Sequence, residues 1–99
     1  MYIVYLESSI NDIEWMKLYY NNIFPAEKKQ ASIHIKTTEQ IIINHPHIGQ
    51  VFDGKKNIRE LVINKTPFSF LYRINEDRIE ILRLWDQRRS RGELIKGSV

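Results

Sequence analysis

Two stretches in the second half of the chain decide the fold: Phe68-Ser69-Phe70-Leu71-Tyr72-Arg73-Ile74 and Ile79-Glu80-Ile81-Leu82-Arg83-Leu84-Trp85, separated by Asn75-Glu76-Asp77. In the first, Phe68, Phe70, Tyr72 and Ile74 alternate with Ser69, Leu71 and Arg73, the period of a half-buried strand. The second is apolar and ends on an aromatic residue, and the polar triplet between them reads as a turn. Both are therefore strands, and they run antiparallel.

Upstream, Ile58 to Ile63 is a third strand, ended by Asn64-Lys65-Thr66-Pro67. Asp53-Gly54 is a turn signal, and Val51-Phe52 before it is a short edge segment. His45-Pro46-His47-Ile48-Gly49 is a turn by composition and must stop any preceding helix near Asn44. That helix begins at Pro25, a residue suited to a first turn. Ala26, Ile33, Thr37 and Ile41 lie near one of its faces. Ile41-Ile42-Ile43 has strand propensity, but no turn residue separates it from the helix, so it is read as helical. An earlier helix spans about Ile10 to Asn22, with Ile13, Met16, Tyr20 and Ile23 at helical spacing. Ser9 and Asp12 stand at the spacing of a capping box. Tyr2 to Leu6 is β-branched and aromatic, a first strand.

The order predicts an α+β fold: β1, an antiparallel helical hairpin, then a three- to four-stranded antiparallel sheet with the helices on one face. Residues 1–99 read as a single domain. Residues 90–99 form a C-terminal tail that either continues as a short helix through Leu94 and Ile95 or is mobile.

Composition narrows the function. The chain has 99 residues, 42% hydrophobic and 27% charged, which excludes intrinsic disorder and leaves room for one core. No apolar run is long enough for a membrane span. Tyr2 to Leu6 is too short for a signal peptide. There are no cysteines, so disulfides and thiolate metal sites are excluded and a cytoplasmic location is expected. Charge is uneven. Residues 1–54 hold four Lys against six acids, and residues 55–99 hold eleven Lys and Arg against six acids. The basic half attracts phosphates or an acidic protein.

No phosphate-loop, nucleophile-elbow or zinc-protease motif is present. His34, His45 and His47 lack a third ligand, so no metal or cofactor is expected. Glu60 and Glu80, mid-strand, face solvent or pair with Arg73 or Arg83 across the sheet. Arg59, Arg73, Arg83, Arg88 and Arg89 come from strands or a strand end, and such side chains can converge on one concave face. Clustered arginines bind phosphate bidentately or stabilise a transferring phosphoryl group. Periodicity places Trp85, Tyr72 and Phe70 in the core.

Ile58-Arg59-Glu60-Leu61, Pro67-Phe68-Ser69-Phe70-Leu71-Tyr72-Arg73-Ile74, Ile79-Glu80-Ile81-Leu82-Arg83-Leu84-Trp85 and Arg88-Arg89 together resemble the sheet of the RelE/ParE superfamily. The upstream strand, helical pair and Pro-Gly turn stand in the order of that family, and the likeness is nearer its ParE branch. The resemblance implies the toxin of a type II toxin–antitoxin (plasmid stabilisation) module, held inactive by a cognate acidic antitoxin. For the antitoxin we expect a groove across helices and sheet, with apolar rims and a basic floor.

The ParE branch implies a non-catalytic poison of DNA gyrase, with Arg83, Trp85, Arg88, Arg89 and Arg91 binding the target. The alternative is a ribosome-dependent mRNA endoribonuclease. Arg59 and Arg73 would then hold the phosphate, Arg88 or Arg89 would stabilise the transition state, and Asp86 would act as base. The chain departs from that nuclease pattern, with Ser69 at the place of a basic residue and Trp85-Asp86 at the place of a His or Tyr. Asp86, taken as a lone exposed carboxylate of pKa near 4, is a weak base. A third alternative is an inactive member that retains only antitoxin binding.

Overall fold

The two stretches that open the sequence reading form the middle of the sheet. The computed structural model describes residues 1–90 and 92. The chain runs β1 (Tyr2–Tyr5), α1 (Ile10–Leu18), α2 (Lys28–Asn44), β2 (Gln50–Phe52), β3 (Lys55–Val62), β4 (Phe68–Asn75) and β5 (Arg78–Asp86). Sheet order is β1-β5-β4-β3-β2. The four later strands form an antiparallel meander, as expected. The sheet has a fifth member, because β1 pairs in parallel with β5, Tyr2 opposite Arg78 and Tyr5 opposite Ile81. A parallel pair needs a long crossover, and here the crossover from β1 includes both helices.

Both helices pack on one face. Tyr20, Ala31 and Ile42 from the helical pair meet Phe68, Phe70, Tyr72, Ile79, Ile81 and Leu84 of the sheet. The other face is not a solvated one. Phe52, Ile58, Leu71, Leu82 and Trp85 form a second buried cluster there. Residues Phe68 to Tyr72 are thus all buried, Ser69 and Leu71 included. The half-buried reading of this strand is corrected: its alternation sorts side chains between two apolar clusters, as in a central strand covered on both sides.

One irregularity in β5 sets the site. Leu71 stands opposite Arg83, yet Tyr72 stands opposite Ile81, so Leu82 is an extra residue. Such a bulge changes which side chains face which way. Ile79 and Ile81 face the helices before it, and Leu84 does so after it. Leu82 and Trp85 go to the opposite cluster, and Asp86 turns towards α1.

The helices differ in detail from expectation. The α-helical bonding of α1 stops at Leu18, and residues Tyr19–Ile23 form a wider turn, closed by Phe24 N–H donating to the Tyr19 carbonyl at 2.8 Å. A single-turn widening of this kind is common at functional sites. Residues Pro25–Glu27 form a 3₁₀ turn before α2. The face of α2 is also corrected. Ala31, Thr38 and Ile42 are buried, whereas Ile33 is 49% and Ile41 37% exposed, and Ala26 and Thr37 are exposed as well. Two stripes a residue apart both satisfy a period of 3.6, and the sheet selects one of them. Among the described residues, no helix is long and apolar enough to cross a membrane.

Candidate functional site

The end of β5 gathers most of the site residues named from the sequence. Beyond Tyr5, β1 leaves the edge of β5, and the residues that follow it take over as acceptors and donors. Leu6 N–H donates to the Ile81 carbonyl at 3.0 Å, and Ser8 Oγ to the Leu82 carbonyl at 2.7 Å. Leu84 N–H then donates to Asp12 Oδ2 at 3.1 Å. Arg83 closes on the same carboxylate through Nε at 2.7 Å and Nη2 at 3.0 Å. Asp12 is 4% exposed. It is therefore not a helix-capping residue, and Ser9 Oγ donates back to the Leu6 carbonyl instead. The carboxylate is spent on the edge of β5, where an unpaired strand N–H would otherwise be buried.

Asp86 repeats this arrangement one step further on. Trp15 Nε1 donates to its Oδ2 at 3.0 Å. Arg88 donates through Nη2 to Oδ2 at 2.8 Å, and through Nε at 2.9 Å and its backbone N–H at 3.0 Å to Oδ1. The Arg88 guanidinium lies 4.6 Å from the Tyr19 ring centroid and donates to Tyr19 Oη at 3.2 Å. Asp86 is thus a buried, bidentate anchor, not a lone exposed carboxylate. The Arg88 hydrogen bonds lower its pKa to about 2, against the opposing effect of burial, and the Trp15 bond adds to the lowering. The same pairing raises the pKa of Arg88.

Because Asp86 titrates below its ordinary value, its contribution to stability is present above about pH 4 and is lost as pH falls towards 2. The half-exposed partner screens the pair, so we expect an effect of about 1 kcal/mol. Urea midpoints of the wild type and Asp86→Asn should differ near neutral pH and converge near pH 2. A difference that stays constant with pH would contradict the pairing.

Trp85 is 2% exposed. The Arg83 guanidinium lies 5.2 Å from its ring centroid and that of Arg89 5.0 Å. Its indole is covered and belongs to the core, as periodicity indicated. Arg88 and Arg89 are exposed at the end of the strand. Arg91 lies outside the described residues, as does most of the tail.

Arg59 and Arg73 stand elsewhere. In the sheet register Arg73 faces Glu80 and Phe68 faces Asp86, a separation of roughly 17 Å along the strand. Arg59 Nη1 donates to the carbonyls of His47 at 3.1 Å and Gly49 at 2.8 Å. Tyr72 Oη accepts from Gly49 N–H at 2.9 Å and donates to the Pro46 carbonyl at 2.8 Å. A Cβ on Gly49 would fall 2.7 Å from that hydroxyl, so the turn requires glycine. Arg73 Nε pairs with Glu80 Oε1 at 2.6 Å, and Asn75 and Arg78 also donate to Glu80. The hydrogen bond from Arg73, more than the others, keeps this buried carboxyl below the usual range. The expected pairing of Glu80 with Arg73 is present; Glu60 accepts from Ser69 Oγ at 2.8 Å. The expected convergence of five arginines on one face is corrected: they divide between the two ends of the sheet.

Asp12 was read from the sequence only as part of a capping box, and Trp15 and Tyr19 were not singled out as site residues. The one available signal was an acid buried within an otherwise apolar helical face, which a capping role also explained.

A groove opens between α1 and α2, with a volume of about 440 Å³. Met16, Tyr20, Ala31 and Ile35 line its inner part, and the exposed Lys17, Lys28 and Lys36 its margin. The floor is apolar and the rim carries three lysines against the single carboxylate of Glu39, the reverse of the expected groove. Long lysine stems reach solvent, so burial leaves the apolar side chains below.

Comparison with known proteins places this architecture. No curated protein matches the chain. A solved structure described as the chromosomal ParDE TA system from P. aeruginosa is similar in fold, with a TM-score of 0.65 and 21% identity, over 85% of this chain and 92% of that one. The family model of the ParE toxin of the type II toxin–antitoxin system, parDE, matches residues 3–91. With nearly its whole length matched, the chain belongs to the ParE toxin family of type II toxin–antitoxin systems, a membership that implies an antitoxin partner.

Proposed function

We propose that this chain arrests growth by binding DNA gyrase, without a catalytic step, through the basic surface at the end of β5. The observation that carries this reading is the commitment of Asp86. Both its oxygens are occupied by Trp15 and Arg88, and a carboxylate of pKa about 2 is a poor proton acceptor at neutral pH. The phosphate-holding pair of the nuclease alternative, Arg59 and Arg73, lies at the far end of the sheet. What the β5 end offers is Arg88 and Arg89, exposed and mounted on Asp86 and on aromatic rings, a rigid cationic surface suited to binding. Arg83 and Trp85 support that surface from beneath, and Arg91, outside the described residues, follows Arg88 and Arg89 in the sequence.

The test is pulse labelling of DNA and protein synthesis within minutes of inducing the chain in a bacterium without its antitoxin. DNA synthesis should fail first, and Arg88→Ala combined with Arg89→Ala should weaken that arrest about tenfold or more. Protein synthesis failing first would establish the nuclease reading, and no arrest would establish the inactive one.

The neutralising partner is an acidic antitoxin, with an amphipathic helix that seats apolar side chains between α1 and α2 and carboxylates against Lys17, Lys28 and Lys36. Its affinity should fall with salt, because the lysines are exposed and readily screened.

A further inference from the structure

We infer that the depression beside the His45–Gly49 turn is a phosphate-binding site. It has a volume of about 190 Å³ and is lined by His47, Asn57, Arg59, Tyr72, Arg73 and Ile74. Three properties carry this. The first is charge. Arg59, Arg73 and Arg78 stand against the single carboxylate of Glu80, and among the described residues no carboxylate pairs with Arg59. The site is therefore cationic after its internal pairing is complete.

The second is donor supply. Arg59 spends one nitrogen, Nη1, on the carbonyls of His47 and Gly49. Arg73 spends Nε on Glu80. Among the described residues the remaining guanidinium nitrogens make no hydrogen bond, so each group keeps donors for an anion. Guanidinium forks match the oxygens of phosphate, and the Asn57 amide adds a neutral donor beside them.

The third is preorganisation. The same two carbonyls and the buried Glu80 fix both guanidiniums before any ligand arrives, which removes much of the entropy cost of binding. The volume admits a phosphate group together with several waters of its hydration shell. The site is distant from Asp86 and Arg88, and it binds without cleaving. Two sources supply such a group, a phosphodiester of a nucleic acid strand and inorganic phosphate or a monoester. The inference does not depend on the gyrase reading, since it involves neither Arg88 nor Arg89.

The test follows amide and arginine Nε–H signals of the full chain by nuclear magnetic resonance. Sodium phosphate is titrated at fixed ionic strength against chloride, and then a short single-stranded oligonucleotide without terminal phosphates. Saturable shifts at Arg59, Arg73 and Asn57 are expected. Arg73→Gln, which leaves Arg78 and Asn75 on Glu80, should weaken binding about tenfold, the worth of a charged hydrogen bond. His47→Ala alters only an exposed side chain and should weaken it severalfold. Tighter binding of the oligonucleotide would make the phosphodiester the natural ligand, and tighter binding of phosphate the free ion or monoester; either supports the site. Shifts that chloride reproduces, that never saturate, or that survive both substitutions would overturn it.

Discussion

Asp12→Ala should cost about 3–5 kcal/mol of folding stability, the loss that follows when one partner of a buried ion pair is removed. Asp12 is 4% exposed and accepts from three donors: both forks of Arg83 and the Leu84 N–H. Its removal leaves a guanidinium that is only 15% exposed without a counter-charge, and a strand N–H without an acceptor. A domain of this size has a total stability of about 5–15 kcal/mol, so the variant should be marginal or unfolded at 37 °C. Asp12→Asn keeps an acceptor for Leu84 and should lose less. Arg83→Ala combined with Asp12→Ala should lose less than the two single changes added, because the orphaned charge is gone. Urea unfolding followed by circular dichroism measures all four. A single-variant loss below about 1 kcal/mol would show that α1 does not depend on this anchor.

Trp85→Ala should be of similar size, about 3–5 kcal/mol, as for other large aromatic truncations in a core. The indole is 2% exposed and packs with Phe52, Ile58, Leu71 and Leu82. Two guanidiniums also lie against it, and they lose their cation–π contact with the ring. Trp85→Phe keeps an aromatic face and most of the volume, and should cost less. The pair of variants separates two roles for this residue. If Trp85→Ala folds with near-normal stability but no longer arrests growth, the indole is a contact for the target and its buried role is disproved. If stability falls and Trp85→Phe restores both stability and arrest, Trp85 acts by holding Arg83 and Arg89 in place.

Asp12 and Asp86 make one structural point. Each carboxylate joins α1 to β5, one through Arg83 and the strand backbone, the other through Trp15 and Arg88. The basic surface at the end of β5 is therefore fixed to the helical hairpin as well as to the sheet. An antitoxin helix seated between α1 and α2 would sit on the same support, through Met16 and Tyr20, as Arg88 does through Tyr19. On the proposed reading, the groove and the β5 surface would thus rest on one shared support.

The sequence alone determined the elements and their order. Alternation in Phe68–Ile74, the Asn75–Asp77 and Asp53–Gly54 turns and the proline turn at Pro46 are local signals, set by side-chain period and backbone preference over a few residues. They fixed the antiparallel meander, the helical pair and the Ile41–Ile43 helix end, and with the basic cluster they carried the family resemblance. Tertiary structure decided whatever depends on partners distant in the chain. The parallel docking of β1 on β5 follows from the crossover of the chain, which no local pattern encodes. The buried stripe of α2 was chosen between two neighbouring stripes by the sheet beneath it. The bulge at Leu82 exchanged the faces of everything after it, sending Trp85 into the second cluster and Asp86 towards Trp15. It left only a faint trace in the sequence, the adjacent apolar pair Ile81-Leu82. The roles of Asp12 and Asp86 arose the same way. An acid near a helix start and an acid at a strand end look solvated in a sequence, and both became buried anchors because Asp12 meets Arg83 and the Leu84 N–H, and Asp86 the Trp15 indole N–H, across about seventy residues, with Arg88 closing on Asp86 from only two residues away.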